Sequence, residues 1–121
     1  MPMQAIATTP KRLRILGDEE IDALYGRPRF THDERQEYFA FTPQELTTLV
    51  QFRSHPARLY CMLQLGYFKA RQQFFVFTLR EVAEDIRYLQ ERYFAPARFH
   101  AVEVSKVTRL KQQPVILALC H

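Results

Sequence analysis

The order of apolar and polar positions along the chain reads as a succession of helices with well-marked starts. Asp18 can cap a short helix through Leu24, with Glu19 and Glu20 at the positive end of its dipole. Gly26 and Pro28 stop it. Thr31-His32-Asp33-Glu34 and Thr42-Pro43-Gln44-Glu45 place Glu three positions after Thr, the spacing at which hydroxyl and carboxylate satisfy each other's orphan backbone donors. Pro43 falls at the favoured first helical position. Thr78-Leu79-Arg80-Glu81 repeats the box, and Phe41 with Leu46 and Phe77 with Val82 add hydrophobic staples. A helix is predicted from about Pro56 to Lys69. Leu59, Cys61, Met62, Leu63, Leu65, Tyr67 and Phe68 cover nearly all its sides, the pattern of a central, buried helix. Gly66 inside it either admits a neighbouring backbone or marks a weak point.

The run Phe74-Phe75-Val76-Phe77 has strand character but no obvious partner strand, so a buried connector is expected. Leu79, Val82, Ala83, Ile86, Leu89 and Tyr93 form one stripe at helical spacing and predict a helix from Leu79 to Phe94. Arg80, Glu84, Arg87 and Glu91 alternate in sign along its outer side, and Pro96 closes it. A last helix is expected from Ser105, its cap, to about Gln112, with Val107 and Leu110 inward. Pro114 then opens or breaks the next element, residues 115–120.

These elements make the chain all-α: a compact multi-helix bundle with the 56–69 helix central and the 79–94 helix packed on it. Residues 1–13 read as a flexible basic leader and 14–121 as one helical domain, truncated, on this reading, inside the apolar run at His121. With 47% apolar and 25% charged residues the composition is that of a globular domain. Only three Gly argue against a hairpin-rich β fold or a Gly-rich phosphate loop. The first nine residues lack the apolar core of a signal peptide, and the apolar runs are too short to span a bilayer. Cys61 and Cys120 match no zinc or redox spacing. A reduced, cytoplasmic protein is expected.

Catalytic constellations are not apparent. His32, His55, His100 and His121 are scattered, and the only serines, Ser54 and Ser105, sit in no Gly-flanked elbow. Asp33, Glu34 and Glu37 read as a solvated helix start. The expectation is a chain without catalysis, cofactor, metal or small-molecule substrate of its own.

Charge placement says more. The net charge is +4, from 17 Lys and Arg against 13 Asp and Glu. No acid falls between Glu45 and Glu81, whereas Arg53, Arg58, Lys69, Arg71 and Arg80 do. Arg98, Lys106, Arg109 and Lys111 face only Glu103, and Lys106 and Arg109, three apart, share a helix side. Gln112 and Gln113 add amides suited to base edges or phosphates. Lys11, Arg12 and Arg14 form a basic knot of the kind that lies along DNA. A solvated basic surface accounts for the same pattern, and core packing for most of the interleaved Phe and Tyr.

The stretches RILGDEEIDALYGRPRFTHDERQEYFAFTPQEL, RLYCMLQLGYFK, FTLREVAEDIRYLQERYF and EVSKVTRLKQQPVILALCH resemble, in content and order, the N-terminal region of replicative class II transposases of the Tn-three family. The resemblance runs from about Arg14 to the end. It implies that 14–121 is a helical DNA-binding domain with a helix-turn-helix-like lobe toward the C-terminus, around Ser105 to Gln113, that binds double-stranded DNA at the terminal inverted repeats of a transposon and is nucleoid-associated when bound, with the family's acidic catalytic residues in a later domain and none carried over here. Lys106, Arg109, Lys111 and Gln112 are then the first candidates for DNA contact. Arg53, Arg58, Lys69 and Arg71 follow, and Lys11, Arg12 and Arg14 after them. The other reading is a protein–protein module of a transposase or of a remnant of one, for dimerisation or regulation.

Overall fold

The computed structural model describes residues 26–94 and 103–120. The expected helix at 18–24, the basic residues Lys11, Arg12 and Arg14, and Arg98 lie outside the described residues. Within them are α1 (His32–Tyr38), α2 (Pro43–Leu49), α3 (His55–Arg71), α4 (Ala83–Tyr93) and α5 (Lys106–Leu119), with no strand among the described residues. The fold is all-α.

Local chemistry sets the helix starts. Glu34 N donates to Thr31 Oγ1 at 3.2 Å while Thr31 N donates to Glu34 Oε1 at 2.8 Å. Thr42 and Glu45 close the same reciprocal pair at 3.1 and 2.8 Å, ahead of Pro43. Ser54 caps α3 by accepting from Ala57 N at 3.1 Å. Ser105 caps α5 by accepting from Thr108 N at 3.2 Å.

α3 is the central helix: every residue from Leu59 to Phe68 is buried, and each of the other four helices packs on it. Its end is Gln72 in the left-handed region (φ 59°), whose N–H donates back to Phe68 O at 2.7 Å. Gly66 meets the ring of Phe39, not only backbone. A Cβ there would overlap Phe39 Cδ1 and Cε1 and lie 3.3 Å from Tyr38 O. The buried connector is as expected. Phe75 and Phe77 point into the core, Val76 points out, and Tyr60 stacks on Phe77 at 4.4 Å while its hydroxyl donates to Phe77 O at 3.1 Å.

Two expectations are corrected. The Thr78–Glu81 box forms, with Thr78 N donating to Glu81 Oε1 and Glu81 N to Thr78 Oγ1, both at 3.2 Å. It closes a tight turn, however, because Glu81 N and Val82 N bond three residues back, to Thr78 O and Leu79 O. α4 therefore starts at Ala83, not Leu79. Its stripe holds through Leu79, Val82, Ile86 and Leu89, all buried; Ala83 is exposed and Tyr93 half-buried. Arg80, Glu84, Arg87 and Glu91 face solvent.

The second correction concerns the last helix. α5 runs unbroken through Pro114 to Leu119, and Val107 and Leu110 point outward, 61% and 47% exposed. The inward residues are Gln112 and Ile116, both fully buried. Pro114 is tolerated because it sits on the solvent side, where the Leu110 carbonyl that it leaves unpaired can be hydrated.

Candidate nucleic-acid interface

The expected DNA-contact residues divide by environment. Lys106 and Lys111 are exposed on α5, which contains no acid. Arg109 is half-buried, its guanidinium beside the Tyr60 hydroxyl. Arg53, before α3, and Arg71, in its last turn, are exposed. None of Arg53, Arg71, Lys106 and Lys111 forms an ion pair among the described residues.

Three candidates are committed elsewhere. Gln112 is corrected as a surface residue. Its amide lies in the α3–α5 contact, where Nε2 donates to Ala57 O at 2.9 Å and Oε1 accepts from Gln64 Nε2 at 2.8 Å. The opposite sides of α5 are both apolar, so helical spacing alone gives no sign of which is buried. Arg58 donates through Nε to Phe52 O at 2.6 Å and reaches Val50 O at 3.5 Å, satisfying carbonyls beyond the end of α2. Lys69 pairs with Glu45 at 3.0 Å and lies 5.1 Å from the centroid of the Phe41 ring. Glu45 is itself buried and already accepts from Thr42 N, so the capping box of α2 and the end of α3 are tied through one carboxylate.

Among the described residues the most deeply placed charge is one that sequence reasoning missed. Asp85 is 3% exposed; its Oδ1 accepts from Arg35 Nε at 2.6 Å and its Oδ2 from the Tyr67 hydroxyl. Glu84 stands 3.7 Å from the same guanidinium. The signal was present: Asp85 occupies an inward position between Val82 and Leu89 on the apolar stripe. A polar cleft of about 340 Å³ opens beside this pair, lined by Arg27, Arg29, Arg35, Glu81, Glu84 and Asp85. Its opposed charges favour neither an anion nor a cation.

Burial, and then the Asp85 charge, push the Tyr67 hydroxyl well above its ordinary range. Burial also raises Tyr60, against the Phe77 backbone N–H and Arg109, which lower it. The Cys61 thiol is pushed up to about 12 by burial, and Cys120 is raised by the same cause, opposed by Lys69. Neither thiol is activated. No group of three or more metal-ligating side chains forms among the described residues, and none of their helices is long and apolar enough to cross a membrane.

A family model described as a domain of unknown function, DUF4158, matches residues 15–121. No curated protein and no solved structure matches the chain.

Proposed function

The chain belongs to the DUF4158 family, and we propose that it binds double-stranded DNA as the N-terminal, non-catalytic part of a transposase, at the terminal inverted repeats of the element. The observation that carries this reading is α5: a helix without acids that turns Lys106 and Lys111 to solvent. Arg53 and Arg71, exposed and unpaired among the described residues, extend the same chemistry on α3 and its approach. Lysine and arginine in such positions bind phosphates and set register on a duplex. The resemblance of the sequence blocks to the Tn-three transposases supplies the kind of DNA. Arg109, half-buried against Tyr60, reaches the groove only at the margin of such a contact. The basic stretch with Lys11, Arg12 and Arg14 would add further phosphate-binding charge.

The test is a titration of fluorescent terminal-repeat duplex and of scrambled duplex across several salt concentrations. Log affinity is expected to fall linearly with log salt. The double variant Lys106→Ala, Lys111→Ala is expected to flatten the slope by roughly 1 to 2, about one counterion for each phosphate that a removed lysine had neutralised. Binding that is absent or independent of salt overturns the reading.

A second reading has its own observation. On the outer side of α5, Val107, Leu110 and Leu117 are 61%, 47% and 38% exposed, a concentration of apolar surface that marks protein contacts. A second copy of the chain is the occupant to test. Sedimentation showing a dimer that Leu110→Glu dissociates, with no retention of duplex at low salt, would favour it.

A further inference from the structure

α5 poses a problem of rotation. With 3.6 residues per turn, Gln112, Ile116 and Leu119 lie on one side, and Val107, Leu110, Pro114 and Leu117 on the opposite side. The second set is the more apolar, yet it is the one exposed; the first contains an amide and is buried, with Gln112 and Ile116 at 0% exposure. Burial of apolar area alone would favour the reverse orientation. What opposes it is specific. Gln112 Nε2 donates to Ala57 O and its Oε1 accepts from Gln64 Nε2, all inside the core. Gln64 lies seven residues after Ala57 on the same side of α3, so the two partners fix Gln112 against one strip of that helix. Turning α5 over would carry Gln112 out to solvent and leave the buried Gln64 amide facing an apolar surface without its partner, where an unpaired polar group is costly.

We propose that the buried Gln64–Gln112 amide pair selects which face α5 presents: it holds Val107, Leu110, Pro114 and Leu117, bracketed by Lys106 and Lys111, toward solvent. A single buried polar pair fixes register in coiled coils by the same logic, at no gain in stability over apolar packing. The inference goes beyond the binding readings, since it concerns the helix itself and holds for either occupant.

The experiment reads rotation directly. Leu110→Cys and Ile116→Cys are made singly in a Cys120→Ser chain and labelled with a thiol reagent at pH 8; Cys61 stays silent because it is fully buried. With both glutamines present, Cys at 110 is expected to label about tenfold faster than Cys at 116, which reacts only through local opening. In Gln64→Leu, and separately in Gln112→Ser, whose side chain is polar but too short to reach Gln64, that contrast is expected to collapse or reverse while circular dichroism keeps the helical content. A contrast that survives both substitutions overturns the proposal. So does loss of helical content in both, which would make the pair a requirement for folding and not a selector. Titrating duplex DNA against the same variants separates the two claims. If the unsubstituted chain fails to bind, the DNA reading falls while the labelling contrast still decides this one.

Discussion

The ring of Phe39 occupies the space that a side chain on Gly66 would need. Phe39 is fully buried and cannot move aside. It packs against Phe30 at 5.3 Å, Tyr67 at 6.0 Å, and Phe41 and Tyr88 at 6.2 Å. Gly66 is thus the socket through which α1 docks on α3. Gly66→Ala gains up to about 1 kcal/mol of helix propensity but overpacks the contact at a cost of about 1–3 kcal/mol. A net loss of stability in urea unfolding is expected; a stabilised variant would show that the ring yields.

Asp85 is expected to be the most sensitive polar position. Asp85→Ala leaves the Tyr67 hydroxyl unpaired in the core and Arg35, whose side chain is 18% exposed, without its nearest counter-ion. A loss of about 3 kcal/mol or more is expected. Tyr67→Phe removes only one donor while Arg35 still holds the carboxylate, so about 1–2 kcal/mol is expected. A double-mutant cycle between the two positions should show non-additivity; additive losses would contradict the shared network.

Alkali should unfold the protein through its buried phenols. Tyr60 and Tyr67 are both raised above the ordinary value of 10.0, chiefly by burial. The folded state therefore keeps protons that the unfolded chain releases above pH 10. Stability from this source is complete below pH 10 and is lost as pH rises toward the raised values. The midpoint of urea unfolding is expected to fall above pH 10, and to fall less steeply in Tyr67→Phe. An equal slope in both proteins would remove Tyr67 from the account.

Pro114 should be replaceable with gain. It is exposed and sits in the interior of α5, where it costs one backbone hydrogen bond. Pro114→Ala is expected to stabilise the chain by about 1–3 kcal/mol, read as a higher melting temperature. A lower one would mean that the proline bend is needed for the Gln112 contact.

Much of the fold was written locally. The capping boxes of α1 and α2, the serine cap of α5, the all-round apolarity of α3 and the alternating charges of α4 depend on residues within a few positions of one another. They could be read from spacing because helix propensity and capping are short-range. The sequence by itself therefore determined that the chain is all-α, which helix is central, and where its acid-free stretches lie.

Tertiary structure alone decided the rest. Whether Arg58 and Lys69 reach solvent depends on carbonyls after α2 and on a buried Glu45, partners 6 to 24 residues away. Whether Asp85 is a surface acid or the anchor of Arg35 depends on an arginine 50 positions earlier. Which side of α5 faces the core depends on Gln64 and Ala57, 48 and 55 positions before Gln112. Both sides of that helix are apolar, so periodicity could not choose between them. Two buried amide hydrogen bonds did, because an amide in the core must be paired whatever the area arithmetic favours.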